Sequence, residues 1–404
     1  MGEWKDITLG AVLKYEQPYK YTVESTQYNN SGVPVLTAGK SFILGYTSEM
    51  NNLYSNLPVI IFDDFTSDCK FVDFPFKVKS SAMKFLKERN EEEISLKYFY
   101  EILQTLKLDS VGGDHKRRWI SEYSKIKIKA PDFIEQTRIA EILSTADEAI
   151  AHTEALIAKY QRIKTGLMQD LLTKGIDEKG NIRSKETHKF VVKNGVEVPE
   201  EWEVKQIIKT TYIKARIGWQ GLKASEFIIE GPYLVTGTDF QNGEINWKTC
   251  YHVTEERFQE AKYIQLKEND LLITKDGTIG KTALVRNCPE KAVLNSGVFV
   301  LRCNDGSFKN EFLYYILNSK YFEDFLYKTQ GGSTINHLYQ REFERFYFPC
   351  PDITEQNKII NVINQSIDLI TEEKFKLSKL QSIKTGLMQD LLSGKVRVNM
   401  DNKN

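Results

Sequence analysis

The 404-residue sequence predicts an α+β protein: two tandem globular α+β domains, each followed by a long helix, the two helices pairing as an antiparallel coiled coil with pseudo-two-fold symmetry. Three observations lead there. The decapeptide IKTGLMQDLL stands at 163–172 and again at 383–392, 220 positions apart, so the chain is two copies of one plan. The match continues upstream in the same register, with EQTRIAEILSTADEAI (135–150) opposite EQNKIINVINQSIDLI (355–370). The segments before these helices are related more distantly, since Trp4 and Trp202, Pro34 and Pro232, Leu36 and Leu234, Gly39 and Gly237, and Phe42 and Phe240 are each 198 apart.

Taken in order, residues 1–130 form the first domain. Short β-branched runs, Gly and Asn turns and an amphipathic stretch at 96–106 mark it as mixed α and β. Residues 131–175 form the first helix. Pro131-Asp132 precedes it with Glu135 three residues on, a capping-box pattern that satisfies orphan backbone donors, and Gly175 supplies a left-handed cap. Its seam is Ile139, Leu143, Ala146, Ile150, Ile157, Tyr160, Leu167 and Leu171, spaced by threes and fours. Residues 176–197 are polar and aromatic-poor, a linker by composition. The second domain (198–350) carries an insertion relative to the first. In the second helix (351–395) the cap is Asp352, the stop is Gly394, and the seam is Ile359, Ile363, Ile370, Leu377, Leu380, Leu387 and Leu391, with Glu373 and Lys384 as polar breaks. A short tail (396–404) follows. At about 38 residues, each helix is about 57 Å long. Antiparallel pairing is expected because the first helix then ends where the second domain begins, and the linker only turns a corner. Two heads on a stiff spacer suit a ligand that repeats along a line, as duplex DNA does about every 34 Å.

Composition narrows the function. Lys and Arg number 55, as do Asp and Glu, so the formal charge is zero and autonomous binding of nucleic acid is disfavoured unless local patches or partners contribute. The start MGEWKDITLG lacks the regions of a signal peptide and no apolar run is long enough to cross a bilayer, so a cytoplasmic protein is expected. The five cysteines are odd in number, scattered and without a CxxC pair, which reads as reduced structural thiols.

Catalytic constellations fail on inspection. KDGTIGKTALV resembles a phosphate-binding loop, but Lys275 occupies the place where glycine is required, and Asp276-Gly277 reads as a hairpin turn. Asp63, Asp64 and Asp68 could hold a divalent ion, yet the second copy has no counterpart, and a solvated turn is the expectation. The histidines show no metal-ligand spacing, and neither an Asn-Pro-Pro-aromatic motif nor a methyl-donor glycine loop is present. No catalytic residue, metal site or cofactor is expected in this chain.

Binding candidates are clearer. GGDHKRRW and GGSTINHLYQREFERF each open on paired glycines and lead into a helix cap. Their His115, Lys116, Arg117 and Arg118, and their Ser333, Thr334, Asn336, His337, Gln340 and Arg341, are side-chain types that read base edges or hold phosphates. Either could be a charged surface turn; recurrence in both copies is what favours DNA. Arg216, Gln220 and Lys223 around Trp219 form a third candidate, and Lys275 and Lys281 a fourth. In the repeated decapeptides, Gly166 and Gly386 each cost about 1 kcal/mol inside a helix relative to alanine. They allow close helix contact, and with Leu167, Met168, Leu171, Leu387, Met388 and Leu391 they could dock a second protein. Packing of those apolar residues on the adjacent domain is the alternative.

The EQ-x-x-I helix starts, the IKTGLMQDLL ends, the linker LLTKGIDEKGNIR, the closing LLSGKVRV and the segment NDLLITKDGTIGK resemble the specificity subunits of type I restriction-modification systems, over nearly the whole chain from Trp4 to Val398. The resemblance implies a non-catalytic DNA-reading subunit whose two target recognition domains each read half of an asymmetric bipartite site. It implies two modification (methyltransferase) subunits docked on the helices, and restriction (translocase and endonuclease) subunits beyond them. S-adenosylmethionine, ATP and Mg would belong to those partners. A rod-shaped protein adaptor, or an enzyme using the loop from Lys275 to Thr282 on a nucleotide, are the competing readings.

Overall fold

The computed structural model describes residues 3–37, 41–106, 117–217, 221–330 and 337–398. The chain divides into two compact units, residues 1–156 with 373–404 and residues 157–372. The two long helices, Phe133–Thr173 and Ile353–Leu392, run 41 and 40 residues, so each contributes one half to either unit.

In the first unit a four-stranded antiparallel sheet has the spatial order Leu13–Glu16, Met83–Glu88, Val59–Asp63, Cys69–Val72. The central strands Val59–Asp63 and Met83–Glu88 are buried along their whole length; the first reads as a continuous apolar run, while the second buries Lys84, Lys87 and Glu88 among its apolar residues. Helix Leu96–Thr105 packs Phe99, Ile102 and Leu103 with Ile60, Phe62 and Trp119. The same core takes Ile139 and Leu143 from the start of the first long helix and Leu391 and Leu392 from the end of the second. A second cluster, Leu36, Tyr54, Phe76 and Phe85, fills the space beside the sheet Ile43–Thr47, Val33–Leu36, Lys77–Val78.

The second unit repeats the plan with additions. Thr211–Ala215, Val298–Cys303, Leu271–Thr274 and Thr282–Leu284 stand in the same order, and Glu244–Ile245 and Phe240–Gln241 extend the sheet to six strands. These extra strands, with helix Glu255–Glu260, are the insertion seen in the sequence. Leu171 and Leu172 from the first helix and Ile359 and Ile363 from the second share a core with Ile273, Leu301 and Phe348. After Gly175 comes the isolated bridge Ile176 to Ile182, then a hairpin pairing Phe190–Lys193 with Val196–Pro199.

Within the first unit the helix segments run antiparallel, because Glu135 meets Arg397 while Asp147, further along the first helix, meets the earlier Lys384. Lys384, read from sequence as a polar break in the seam, is in fact bonded to Asp147 at 2.5 Å and lies 3.5 Å from the fully buried Glu101. It fixes the helix against the domain.

The EQ dipeptide that opens each helix is an anchor, and it corrects the capping-box expectation. Asp132 and Asp352 do cap, accepting from the amides of Glu135 and Glu355 at 3.0 and 2.9 Å. The glutamates do not reach back. Glu355 accepts from Arg183 through both guanidinium nitrogens Nη1 and Nη2 (2.5 and 3.1 Å), from Trp202 Nε1 (3.0 Å) and from the Ile176 amide (2.7 Å). Burial acts against the charge on Arg183, but the Glu355 carboxylate outweighs it and raises the guanidinium pKa. Glu135 accepts from Arg397 Nε and Nη2 at 2.8 and 2.6 Å. The glutamine beside each glutamate donates to Pro131 or Pro351 and accepts from the amide of Ser95 or Lys309, at the N-terminus of the domain's own helix. Gly175 and Gly394 have φ of +69° and +72°, and a Cβ there would strike Glu355 Oε1 at 2.1 Å or the Trp4 ring at 3.2 Å. Conformation favours glycine at both places, and space also demands it at Gly175.

The cysteines are all free thiols, and burial pushes those of Cys69, Cys250 and Cys350 up to about 12, which leaves them unreactive.

Candidate nucleic-acid interface

In the second unit the sheet geometry gathers several loops at one edge. The parallel strands Ile228–Val235 and Ala292–Leu294 end together, and Thr274 and Ala215 lie opposite Val298 and Phe299. The loops after Ala215, Val235, Thr274 and Leu294 therefore form a single rim. Backbone bonds tie it together: Asn295 N to Val235 O (2.9 Å), Lys275 N to Gly297 O (2.9 Å) and Leu338 N to Lys275 O (2.7 Å). Asp276 also pairs with His337 through a β-bridge and a side-chain hydrogen bond. Two separate sequence candidates, the Lys275 loop and the segment from His337, are thus one surface.

The loop itself is the expected hairpin, closing Leu271–Thr274 onto Thr282–Leu284. Thr274 Oγ1 accepts from the Lys281 amide at 2.9 Å and donates to Thr278 O, which makes the turn rigid. Lys281 Nζ donates to Phe240 O at 2.6 Å and Gly237 O at 3.4 Å, so its ammonium braces neighbouring loops. Asp276, Gly277, Thr278, Tyr339 and Arg341 are exposed, and Lys275 and Gln340 are half-buried, with Gln340 bonded to Glu344. Lys223 is exposed at the start of a short helical turn. Cations, amide donors, a carboxylate and an aromatic ring on one rim can hold phosphates and discriminate base edges.

Two candidates are corrected. Arg216 is 3% exposed, donates Nε to Leu294 O at 3.0 Å, and has its pKa lowered by burial, so it supports the rim from within. Arg118 is 7% exposed and bonds Glu122 at 3.1 Å over the Tyr123 ring, while Arg117 beside it is exposed. His115, Lys116, Gln220, Ser333, Thr334 and Asn336 lie outside the described residues.

The first unit has an equivalent rim, since Leu36 lies opposite Val78, Asp63 opposite Met83 and Glu16 opposite Phe85. Lys79 N donates to Leu36 O at 3.0 Å, as Asn295 does to Val235. Here the aspartate cluster departs from expectation. Asp63 and Asp64 are 8% and 7% exposed rather than solvated. Asp64 pairs with Lys84 at 2.8 Å and accepts from Trp119 N at 3.0 Å, while Asp63 Oδ1 accepts from the amides of Phe65 (2.8 Å) and Thr66 (3.4 Å). Carboxylates so engaged are scaffold. No group of three or more His, Cys, Asp or Glu among the described residues could hold a metal ion.

The repeated decapeptides present two faces. Leu171 and Leu391 are buried, and Leu167, Met168, Leu387 and Met388 are half-buried against the same cores, which is the core-packing alternative to docking. A Cβ added at Gly166 or Gly386 would meet no atom of another part of the chain within 4 Å among the described residues, and Ile163 and Ile383 are 44% and 47% exposed. Among the described residues no close helix contact is made at these glycines; the open face is the one bearing Ile and Gly.

A pair of related sheet domains, each carrying a loop rim and sharing long helices, is the architecture of a bidomain recognition protein. The chain matches the family of the type I restriction modification DNA specificity domain over residues 1–162 and 199–382, and it belongs to that family. It is 48% identical over 169 residues to the EcoR124I/EcoR124II specificity subunit of Escherichia coli, a match that spans 40% of this chain and 41% of that relative. The MjaVIII specificity subunit of Methanocaldococcus jannaschii is 25% identical over 98% of this chain and 93% of its own length. Among solved structures, the type I restriction-modification S subunit from M. genitalium aligns with TM-score 0.61 at 15% identity, covering 98% of this chain and 97% of that one. Among the described residues no helix is long and apolar enough to cross a membrane.

Proposed function

We propose that this chain is the non-catalytic DNA-reading subunit of a type I restriction-modification complex in the cytoplasm, and that its two domains read the two halves of an asymmetric bipartite target. The observation that carries this reading is the pair of equivalent rims. Each sits at the same edge of the same sheet and is braced on the segment leading to its own long helix, yet the exposed side chains differ. One scaffold with two chemistries suits two half-sites of different sequence. The long helices set the gap between halves, and the repeated face at Ile163 and Gly166, and again at Ile383 and Gly386, takes a common partner twice: the modification subunits. Restriction subunits join that assembly. S-adenosylmethionine, ATP and Mg act on those partners, and shared phosphate contacts compensate for the zero net charge of this chain.

The test is exchange of residues 1–130 for the corresponding segment of a relative, followed by genome-wide mapping of methylated adenines in cells that express the chain with its modification partner. One half of the methylated motif changes and the other half stays. An unaltered motif sinks the DNA-reading assignment.

A further inference from the structure

The aspartate turn of the first unit is the positional counterpart of the Lys275 hairpin. Each follows the doubly buried strand next to the sheet's centre, Val59–Asp63 in one unit and Leu271–Thr274 in the other. Both are braced by a backbone amide from the segment that leads to the long helix, Trp119 N onto Asp64 and Leu338 N onto Lys275 O. Each is also held by its own bonds. In the first, Asp63 N donates to Asp68 O and Ser67 N to Asp63 O, both at 2.9 Å, while Asp63 Oδ1 fixes the amides of Phe65 and Thr66. What differs is the tip, which is Asp276-Gly277-Thr278 in the second unit and carries Phe65, 52% exposed, in the first.

We propose that Phe65 is a specificity-determining residue of the first domain: its ring makes apolar contact with the bases of the first half-site, against a thymine methyl or the face of an opened base step. The proposal rests on the DNA-reading function above and deepens it. A half-exposed aromatic ring on a turn whose backbone is fixed by its own hydrogen bonds loses little backbone freedom on binding. It also gives base contact without releasing counterions. Arg117, exposed two residues before the Trp119 that braces this turn, is the cation assigned to the backbone phosphate.

The experiment uses the full chain assembled with its modification subunits and a pool of DNA duplexes with randomised positions, from which bound duplexes are sequenced. The parent selects a two-part motif. Phe65→Ala relaxes preference at one or two adjacent positions in one half only, by about tenfold, and leaves the other half unchanged. The slope of affinity against salt stays the same for Phe65→Ala and falls by about one for Arg117→Ala. A parent motif recovered intact by Phe65→Ala overturns the role of Phe65 while leaving DNA reading standing. Absence of any motif from the parent overturns both. If Phe65→Ala yields no assembled complex, Phe65→Gln, which keeps side-chain length and removes the apolar ring, decides: a relaxed motif supports the role and an intact one removes it.

Discussion

The two helix anchors perform one task with unequal means. In the second unit, Glu355 satisfies four donors, and Arg183, Trp202 and Glu355 are all buried. In the first, Glu135 is buried and its side-chain partner among the described residues is Arg397, whose side chain keeps 28% exposure, while Trp4 Nε1 is buried with no hydrogen-bond partner among those residues. The difference follows from what comes after the helix. Past Gly175 the chain must turn back into a second domain, and Arg183, eight residues on, arrives with the Ile176 amide already in place. Past Gly394 the chain brings in Arg397 three residues on, and its Nε and Nη2 donate to Glu135. A duplicated motif is held to the same position by its helix ends and released wherever the following chain differs.

That inequality can be broken or sharpened by substitution. The largest effect belongs to Glu355→Ala, which strands the buried Arg183 guanidinium and costs about 3–5 kcal/mol. Glu135→Ala, which frees a partly exposed arginine, costs about 1–3 kcal/mol. Denaturant midpoints of the two variants settle the order, and equal losses refute the asymmetry. Next, Trp202→Phe removes a hydrogen bond to a carboxylate and costs about 1–2 kcal/mol. Trp4→Phe removes an indole N–H without a partner and leaves stability within about 0.5 kcal/mol of the parent. Comparable losses in the two thermal melts would show that Trp4 has a partner after all.

Gly166→Ala and Gly386→Ala each stabilise the chain by about 1 kcal/mol, because nothing occupies the added methyl's space. If the open face docks modification subunits, the same variants weaken assembly with them in sedimentation. Tighter or unchanged assembly removes those glycines from the interface.

The smallest effect is in acid. Lys77, buried in the first unit, pairs with Glu49 at 2.6 Å, where the second unit places the apolar Val293. The Lys77 bond and backbone donors hold the Glu49 carboxyl at about 2, below its ordinary 4.5. Its folded pKa being depressed, the contribution to stability is present above the ordinary value and is lost as pH falls from about 5 toward 2. Glu49→Gln flattens the decline of melting temperature over that window; an unchanged slope would falsify the assignment.

Much of this was legible in one sequence because repetition is a strong signal. The repeat at 163 and 383, the Asp caps and the glycine stops mark both helices, since periodicity and capping are local properties of the chain. The hairpin at Asp276-Gly277 was legible for the same reason. The site was less so. Arg118 and Arg216 have the chemistry of DNA contacts, but their burial depends on distant strands. Asp63 and Asp64 look like a solvated turn until Lys84 and Trp119 are brought beside them. Phe65 offered only one available signal, its place after a buried strand equivalent to the one before Lys275, and that equivalence needs strand order to be seen.

By itself, the sequence determined the duplication, the two helices and their ends, because these follow from spacing and backbone preference within a few turns. Only the tertiary structure decided that the helix-opening glutamates bind arginines from beyond the other helix's end rather than closing a capping box. It alone turned the decapeptide leucines inward, leaving Ile163, Gly166, Ile383 and Gly386 outside, and joined the loops at 275 and 337 into one rim. Which face of a helix is buried, and which loops meet at a sheet edge, depends on strand order and on contacts between residues far apart in the chain, and no local pattern encodes those.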